Sequence, residues 1–214
     1  MGRMEDQHEV IEKSTLDIEK LKAEERYGLD ECAWFFSKKD SFWELSNMAG
    51  KMPIKFRDQR WNSSEQLYQA SKYAPDVECV PASNPDAKPR NVRERIMAQK
   101  AAKGSKMTQK CAVKAGLVRK DWEDERFEIR IHSMLWVLEL KLWCNPRSFG
   151  ETLKSTGNLP IVEKSKKDAF WGGKENGGSL IGSNVLGKLL TILRDEKYEK
   201  VRNREVTYPE GFLL

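Results

Sequence analysis

Histidine is almost absent from this chain: among 214 residues there are two, His8 and His132. No multi-histidine metal site can be assembled from them, which sets the zinc hydrolases aside. A Ser-His-Asp or Cys-His apparatus would have to recruit His132 from the middle of a predicted helix. Cysteine is sparse too. The four, at 32, 79, 111 and 144, lie 47, 32 and 33 positions apart, which matches neither a disulfide framework nor a zinc pattern. Free thiols and a cytoplasmic location are the expectation. No apolar run exceeds the five residues 134–138, far short of the ~20 a membrane helix needs. The N-terminus is charged from Arg3 onward and has no apolar signal segment. Neither a metal nor a cofactor is expected, and no membrane partner.

What is present is a solvated chain with enough apolar residues for one core: 39% hydrophobic, 33% charged, mean hydropathy -0.70. Charge is unevenly placed. Residues 1–30 carry five Lys/Arg against nine Asp/Glu, whereas residues 88–120 carry eleven Lys/Arg against Glu94 alone, a local net charge of +10. Such a block suits a phosphate-rich partner, nucleic acid or phosphorylated small molecule. The plain alternative is a solvated basic helix face.

Periodicity predicts an α+β chain, predominantly helical, with a few short strands. Residues 3–26 read as a thin amphipathic helix, an N-terminal appendage over 1–30. The aromatics between Cys32 and Trp61, broken by Asn47, Gly50 and Pro53, read as short strands and turns. Asn62-Ser63-Ser64-Glu65 opens a helix to about Tyr73. The prolines at 75, 81, 85 and 89 make a loop. Two long helices follow, Asn91 to about Ala115 and one capped by Asp121 and running to Cys144. In the second, Phe127, Ile131, Met134, Leu135, Leu138 and Leu142 share a face, and Lys141 sits about 20° from Met134 on its margin. A short helix over 149–155, a glycine-rich loop over 168–183, a helix capped by Ser183 or Asn184, and a charged tail over 199–214 complete the chain. The main domain is placed at 31–198.

Three constellations carry chemistry. Gly182-Ser-Asn-Val-Leu-Gly187-Lys188 has phosphate-loop glycine spacing, but Leu189 stands where a Mg²⁺-binding Ser or Thr is required, so a nucleotide triphosphatase is rejected. A helix N-terminus able to hold phosphate survives. Asp168-Ala-Phe-Trp171-Gly172-Gly173 sets a carboxylate and two aromatics beside glycines that would let backbone approach a ligand. Glu65, Tyr68, Gln69 and Lys72 fall on one helical face; the local alternative for Glu65 is a cap residue.

Together these motifs resemble the NADAR family, named for NAD and ADP-ribose. The resemblance rests on Phe36 with Ser46-Asn47, Ser64-Glu65-x-x-Tyr68-Gln69-Ala70-x-Lys72, Lys110, Asp121-Trp122, Met134 with Lys141, and Thr156-Gly157-Asn158. It continues through Glu163 with Asp168-Ala-Phe-Trp171-Gly172 and ends on Gly182-x-Asn184-x-Leu186-Gly187-x-Leu189-Leu190-x-x-x-Arg194. Met48, Gly173-Lys174 and the proline-rich stretch depart from the family pattern.

The resemblance implies a single NADAR-like domain that cleaves an N-glycosidic bond at a ribose C1. Removal of ADP-ribose from guanine in nucleic acid is the preferred substrate because of the basic block. The alternatives are hydrolysis of phosphoribosylamino-pyrimidine intermediates of riboflavin synthesis, or a non-catalytic module that binds ADP-ribose or nucleic acid. The implied partners are an ADP-ribose or ribosyl-phosphate substrate and DNA along residues 88–120. The implied catalytic residues are Glu65, Lys141, Lys110 and Asp168. Glu65 would stabilise positive charge at C1. A lysine amine, Lys141 first and Lys110 behind it, would form a Schiff base with the opened ribose. Asn47, Tyr68, Gln69, Trp122, Trp171, Gly172, Gly182 and Asn184 would bind substrate, with Asp168 and Asn184 on ribose hydroxyls and Trp171 or Trp122 on the base.

Overall fold

The spacing of Ile18 and Leu21 does form a helix, but a short one. In the computed structural model, which describes residues 16–56, 58–79, 84–86, 88–100, 104 and 112–203, helix α1 is Ile18–Lys22, capped by the Asp17 carboxylate on the Lys20 N–H. The rest of the predicted N-terminal helix over 3–15 lies outside the described residues. Glu25 and Arg26, expected to finish that helix, instead open strand β1, Glu25–Gly28. Leu21 is buried in the main core and Tyr27 in a smaller one, so the part of the appendage that is described is packed into the fold.

The aromatic-rich stretch forms the short strands its composition predicts: β2 (Ala33–Phe35), β3 (Ile54–Phe56) and β4 (Gln59–Trp61), with a 3₁₀ turn at Trp43–Leu45. Helix α2 is Ser64–Ala70, with Ser63 as N-cap. The Ser63 hydroxyl accepts from the Gln66 N–H, and the Gln66 side chain accepts from the Asn62 N–H at 2.6 Å. The cap is therefore served by Gln66, and Glu65 is released from it.

Helix α3 is Val92–Met97, capped by Asn91 on the Arg93 and Glu94 N–H groups. The predicted helix is interrupted at 98–100, where the Gln99 carbonyl accepts from the Asn62 and Gln66 side-chain amides; Gly104 and residues 112–114 are helical, and 101–103 and 105–111 lie outside the described residues. Several cations of the basic block are internal. Arg93 is buried and donates to the Tyr73 carbonyl, Arg95 to the Cys79 carbonyl and Arg119 to Asp121. Lys103, Lys106 and Lys110 lie outside the described residues.

Helix α4, Ile129–Cys144, is the axis of the core. It starts eight residues after Asp121, which forks the Arg119 guanidinium at 2.6 and 2.8 Å instead of capping a helix. Phe127 consequently lies before the helix and is exposed. The predicted apolar face from Ile131 to Leu142 is buried, and so are Trp136, Val137, Glu139, Leu140 and Lys141 on the other azimuths. Each fully buried leucine or valine contributes roughly 1.5–3 kcal/mol.

A π turn at Pro146–Gly150 leads into α5, Glu151–Ser155. Strand β5 (Ile161–Glu163) pairs in parallel with β2. The glycine-rich stretch contains a hairpin that composition did not predict, β6 (Lys174–Asn176) and β7 (Ser179–Gly182), joined by Gly177 and Gly178, both at positive φ. Two such residues are what a tight primed turn requires. Strand β1 pairs antiparallel with β7, giving the order β1-β7-β6. Helix α6 is Val185–Ile192. A π turn at Leu193–Lys197 and α7 (Tyr198–Arg202) follow, so the expected charged tail begins within a helix, with Tyr198 and Val201 buried; residues 204–214 lie outside the described residues. No described helix is long and apolar enough to cross a membrane.

Candidate functional site

Helix α2 divides its side chains sharply. Ser64, Gln66 and Leu67 are fully buried, whereas Glu65, Tyr68 and Gln69 keep 6, 5 and 7% of their surface exposed. That is the i, i+3, i+4 face, and it carries all the functional groups. Gln69 donates its amide to Glu65 Oε1 at 2.8 Å, and the Glu65 N–H donates to the Asn47 carbonyl at 3.2 Å. Asn47, also nearly buried, donates its own side-chain amide to Met134 Sδ at 3.0 Å. Two buried acceptors remain unpartnered here, Asn47 Oδ1 and Gln69 Oε1. Buried acceptors without a donor are costly, about 1–3 kcal/mol each, and suit hydroxyl groups of a ligand.

An aromatic cluster adjoins them. The Tyr68 ring centre lies 5.6 Å from Trp122 and 5.7 Å from Trp171, and Phe170 packs edge-on to Trp171 at 5.1 Å. Trp122 is 5% exposed and packed against Tyr68. Trp171 is half-buried. Burial holds the Tyr68 phenol well above its ordinary pKa, the charges of Glu65 and Asp168 push it the same way, and Arg130 opposes them. The phenol is therefore a hydrogen-bond donor at any physiological pH.

Arg130 is the residue sequence reasoning missed. Its guanidinium carbon lies 4.4 Å from the Phe170 ring centre, and Glu128 stands 3.8 Å from its Nε. Glu128 is itself held by Lys22 of α1. The available signal was spacing, since Arg130 stands one turn before Met134 on the same side of α4.

Other predicted residues are placed differently. Asp168 Oδ1 accepts from the Phe170 and Trp171 N–H groups, each at 2.9 Å, so it shapes the turn that carries the aromatics. Asn184 is 1% exposed and at positive φ, a conformation asparagine tolerates. Its side chain accepts from the Glu163 N–H and donates to the Ile161 carbonyl, which ties it to β5. The N-terminus of α6 is closed to phosphate as well. The Val185 and Leu186 N–H groups donate to the Phe170 and Trp171 carbonyls at 2.9 and 3.1 Å. Gly172 and Gly182 are small for the sake of the protein's own backbone: a Cβ at Gly172 would fall on the Glu163 carbonyl, and one at Gly182 on the Gly172 and Ala169 carbonyls.

Lys141 is fully buried. Its amine donates to the Glu44 and Ser46 carbonyls at 2.7 and 2.9 Å, bracing the turn that delivers Asn47. Burial pushes its pKa down to about 7, with Glu44 acting in the opposite sense. A neutral amine retains both short bonds, but a substrate carbon has no access to it. In this arrangement the Lys141 amine holds the turn before Asn47 and meets no open surface. Lys110 lies outside the described residues.

The order of these pieces along the chain is that of a known family, whose model, the NADAR domain, matches residues 34–196. The chain belongs to the NADAR family. Among its relatives, a riboflavin biosynthesis protein of Vibrio vulnificus is 31% identical over 140 residues, 65% of this chain and 31% of that protein. The chloroplastic riboflavin biosynthesis protein PYRR of Zea mays is 30% identical over 168 residues, 76% of this chain and 24% of that protein. The chain thus spans about a third and a quarter of those proteins. N-glycosidase YbiA of Escherichia coli is 27% identical over 165 residues, 76% of this chain and 86% of YbiA. The NMR structure of E. coli YbiA superposes with a TM-score of 0.58 at 24% identity, covering 85% of this chain and 92% of that one, so the two chains share a fold.

Proposed function

We propose that this NADAR protein hydrolyses an N-glycosidic bond at a ribose C1, with Glu65 as the working carboxylate. The observation that carries the reading is the release of Glu65 from helix capping, together with its clamp by Gln69 on the one face of α2 that is not sealed in the core. The name N-glycosidase borne by the relative of matching length supports the reaction class. As the C1–N bond breaks, positive charge grows at C1, and a carboxylate held in a water-poor setting stabilises it and orients the attacking water. The water's hydroxyl ends on C1 and its proton on the departing nitrogen. The unpartnered Asn47 and Gln69 oxygens accept from ribose hydroxyls, and the protonated Tyr68 phenol donates.

The preferred substrate is guanine carrying ADP-ribose in nucleic acid, with Arg130 and Lys72 beside the aromatics as cations for its phosphates. The second reading, cleavage of a phosphoribosylamino-pyrimidine, is favoured by the riboflavin biosynthesis names of two relatives. Incubation with each substrate, followed by chromatography of the released base and sugar, separates them. Release of ADP-ribose that leaves unmodified guanine in the DNA supports the first. Cleavage of the pyrimidine alone assigns the second, and cleavage of neither overturns the glycosidase reading.

A further inference from the structure

Lys22 belongs to α1, ahead of the stretch over which the chain matches the NADAR family, yet its ammonium is paired with Glu128, next to Arg130 of the candidate site. Helix α1 is pinned at that place. The Lys188 ammonium of α6 donates to the Lys20 and Ala23 carbonyls at 3.0 and 2.7 Å, and the Ser183 hydroxyl donates to the Lys22 carbonyl at 2.7 Å. Leu21 is buried in the main core.

Glu128 is fixed from the other side. It stands immediately before α4 with φ at 46°, in the left-handed region that side chains rarely adopt. Its carbonyl accepts from the Ile131 and His132 N–H groups at 2.8 and 3.2 Å. The residue is nearly buried, and a buried carboxylate needs a counter-charge. Burial lowers the pKa of His132, one turn on, with Glu128 opposing, so that imidazole is neutral at pH 7 and supplies none. Among the described residues the cations paired with Glu128 are Lys22 and Arg130, and they are engaged unequally. Lys22 makes the close ion pair, whereas Arg130 Nε stays 3.8 Å away, too far for a hydrogen bond. The Arg130 guanidinium lies instead over Phe170, 4.4 Å from the ring centre, and its charge reaches the Tyr68 phenol.

We propose that Lys22 is a positioning residue for substrate binding: by taking the Glu128 carboxylate it keeps Arg130 uncommitted above Phe170, where the guanidinium meets the substrate's phosphate. Without Lys22, Glu128 would close on Arg130. A guanidinium forked by a carboxylate has neither the charge nor the paired N–H groups to offer a phosphate. Helix α1 thereby completes the site. The inference rests on the glycosidase reading only for the identity of the anion, a ribosyl phosphate under either substrate.

The test is calorimetric titration of the full chain with ribose 5-phosphate, the fragment common to both substrates. The wild type should bind it, and Lys22→Met should bind it about ten-fold or more weakly, the scale on which close charge pairs act. Glu128→Gln added to Lys22→Met should restore wild-type affinity, since no carboxylate is left to claim Arg130. A lysine that merely anchors α1 would give no such rescue, because the double variant lacks the ion pair altogether. Arg130→Met should weaken binding as Lys22→Met does, and the two changes together no further. If Lys22→Met melts below the assay temperature, Lys22→Gln, uncharged but still a donor, takes its place with the same direction expected. With the substrate that the wild type cleaves, the loss should fall on KM and not on kcat. Absence of ribose 5-phosphate binding to the wild type would overturn the proposal. So would wild-type affinity in the Lys22 variant, a double variant with Glu128→Gln as weak as the single one, or effects of Lys22→Met and Arg130→Met that multiply. The expected pattern in a protein that cleaves no ribosyl bond would support the role of Lys22 and overturn the glycosidase reading alone.

Discussion

Gln69 donates to Glu65 Oε1 at 2.8 Å, one turn along α2, and its own carbonyl oxygen is left buried without a partner. The pair ties one carboxylate oxygen to a fixed direction and leaves an acceptor beside it. Gln69→Leu removes both effects while keeping helix propensity and volume close to native. Turnover should fall by about ten-fold or more, chiefly in kcat, because a carboxylate free to rotate is less well placed for the charged transition state. An unchanged kcat would mean that the pair is a packing feature.

Lys141 gives a prediction about pH. The unfolded chain titrates this amine near 10.5, whereas the fold lowers it to about 7. Below pH 7 both states are protonated and the fold bears the full cost of a buried ammonium. Between pH 7 and 10 the unfolded state holds a proton that the folded state has shed, so stability rises with pH. Lys141→Met carries no such proton and leaves the Glu44 and Ser46 carbonyls without their donor, at about 1–3 kcal/mol each. Urea melts should show the variant less stable, with the gap to wild type widening from pH 7 to 10. A constant gap would contradict a depressed amine. Borohydride added during turnover should leave no ribosyl adduct on Lys141.

Gly187 sits in α6 where a Cβ would fall on the Ile161 carbonyl and the Asn184 amide, both of them fixed. Gly187→Ala should cost about 3 kcal/mol or more, as overpacking against rigid neighbours does. Gly50, with nothing within 4 Å of a Cβ, should accept alanine with little change. Thermal melts of the two variants make the comparison.

Local rules carried much of this fold. The start of α2, the short strands and the apolar run of α4 depend on nearest-neighbour capping and period, and they formed as those rules predict. What failed was long-range. Lys141 lay near the edge of a helical stripe on the wheel, but α4 is enclosed on almost every side, and an azimuth does not say what packs against it. Strand β6, all exposed Lys-Glu-Asn, has no alternation to read, although Gly177-Gly178 marked its turn. Asn184 and the α6 N-terminus looked like ligand groups because their partners, β5 and the Phe170-Trp171 backbone, are far away in sequence. Of the candidate residues, Glu65, Tyr68, Gln69 and Asn47 are brought together as anticipated, because three of them share one helical face.

Among the described residues no group of three or more His, Cys, Asp or Glu is placed to hold a metal ion. A reaction run by Glu65 and water needs no metal ion, so activity is expected to withstand EDTA. Loss of turnover on chelation, restored by a divalent cation, would contradict a reaction run by Glu65 and water.

The central claim is that Glu65 is the carboxylate at the reacting carbon, and single-turnover cleavage by Glu65→Gln tests it most directly. The substrate is the one that the wild type cleaves, and folding is checked by an unchanged melt. The account predicts a rate lower by about 10² or more at saturating substrate. A variant that cleaves at the wild-type rate would contradict it.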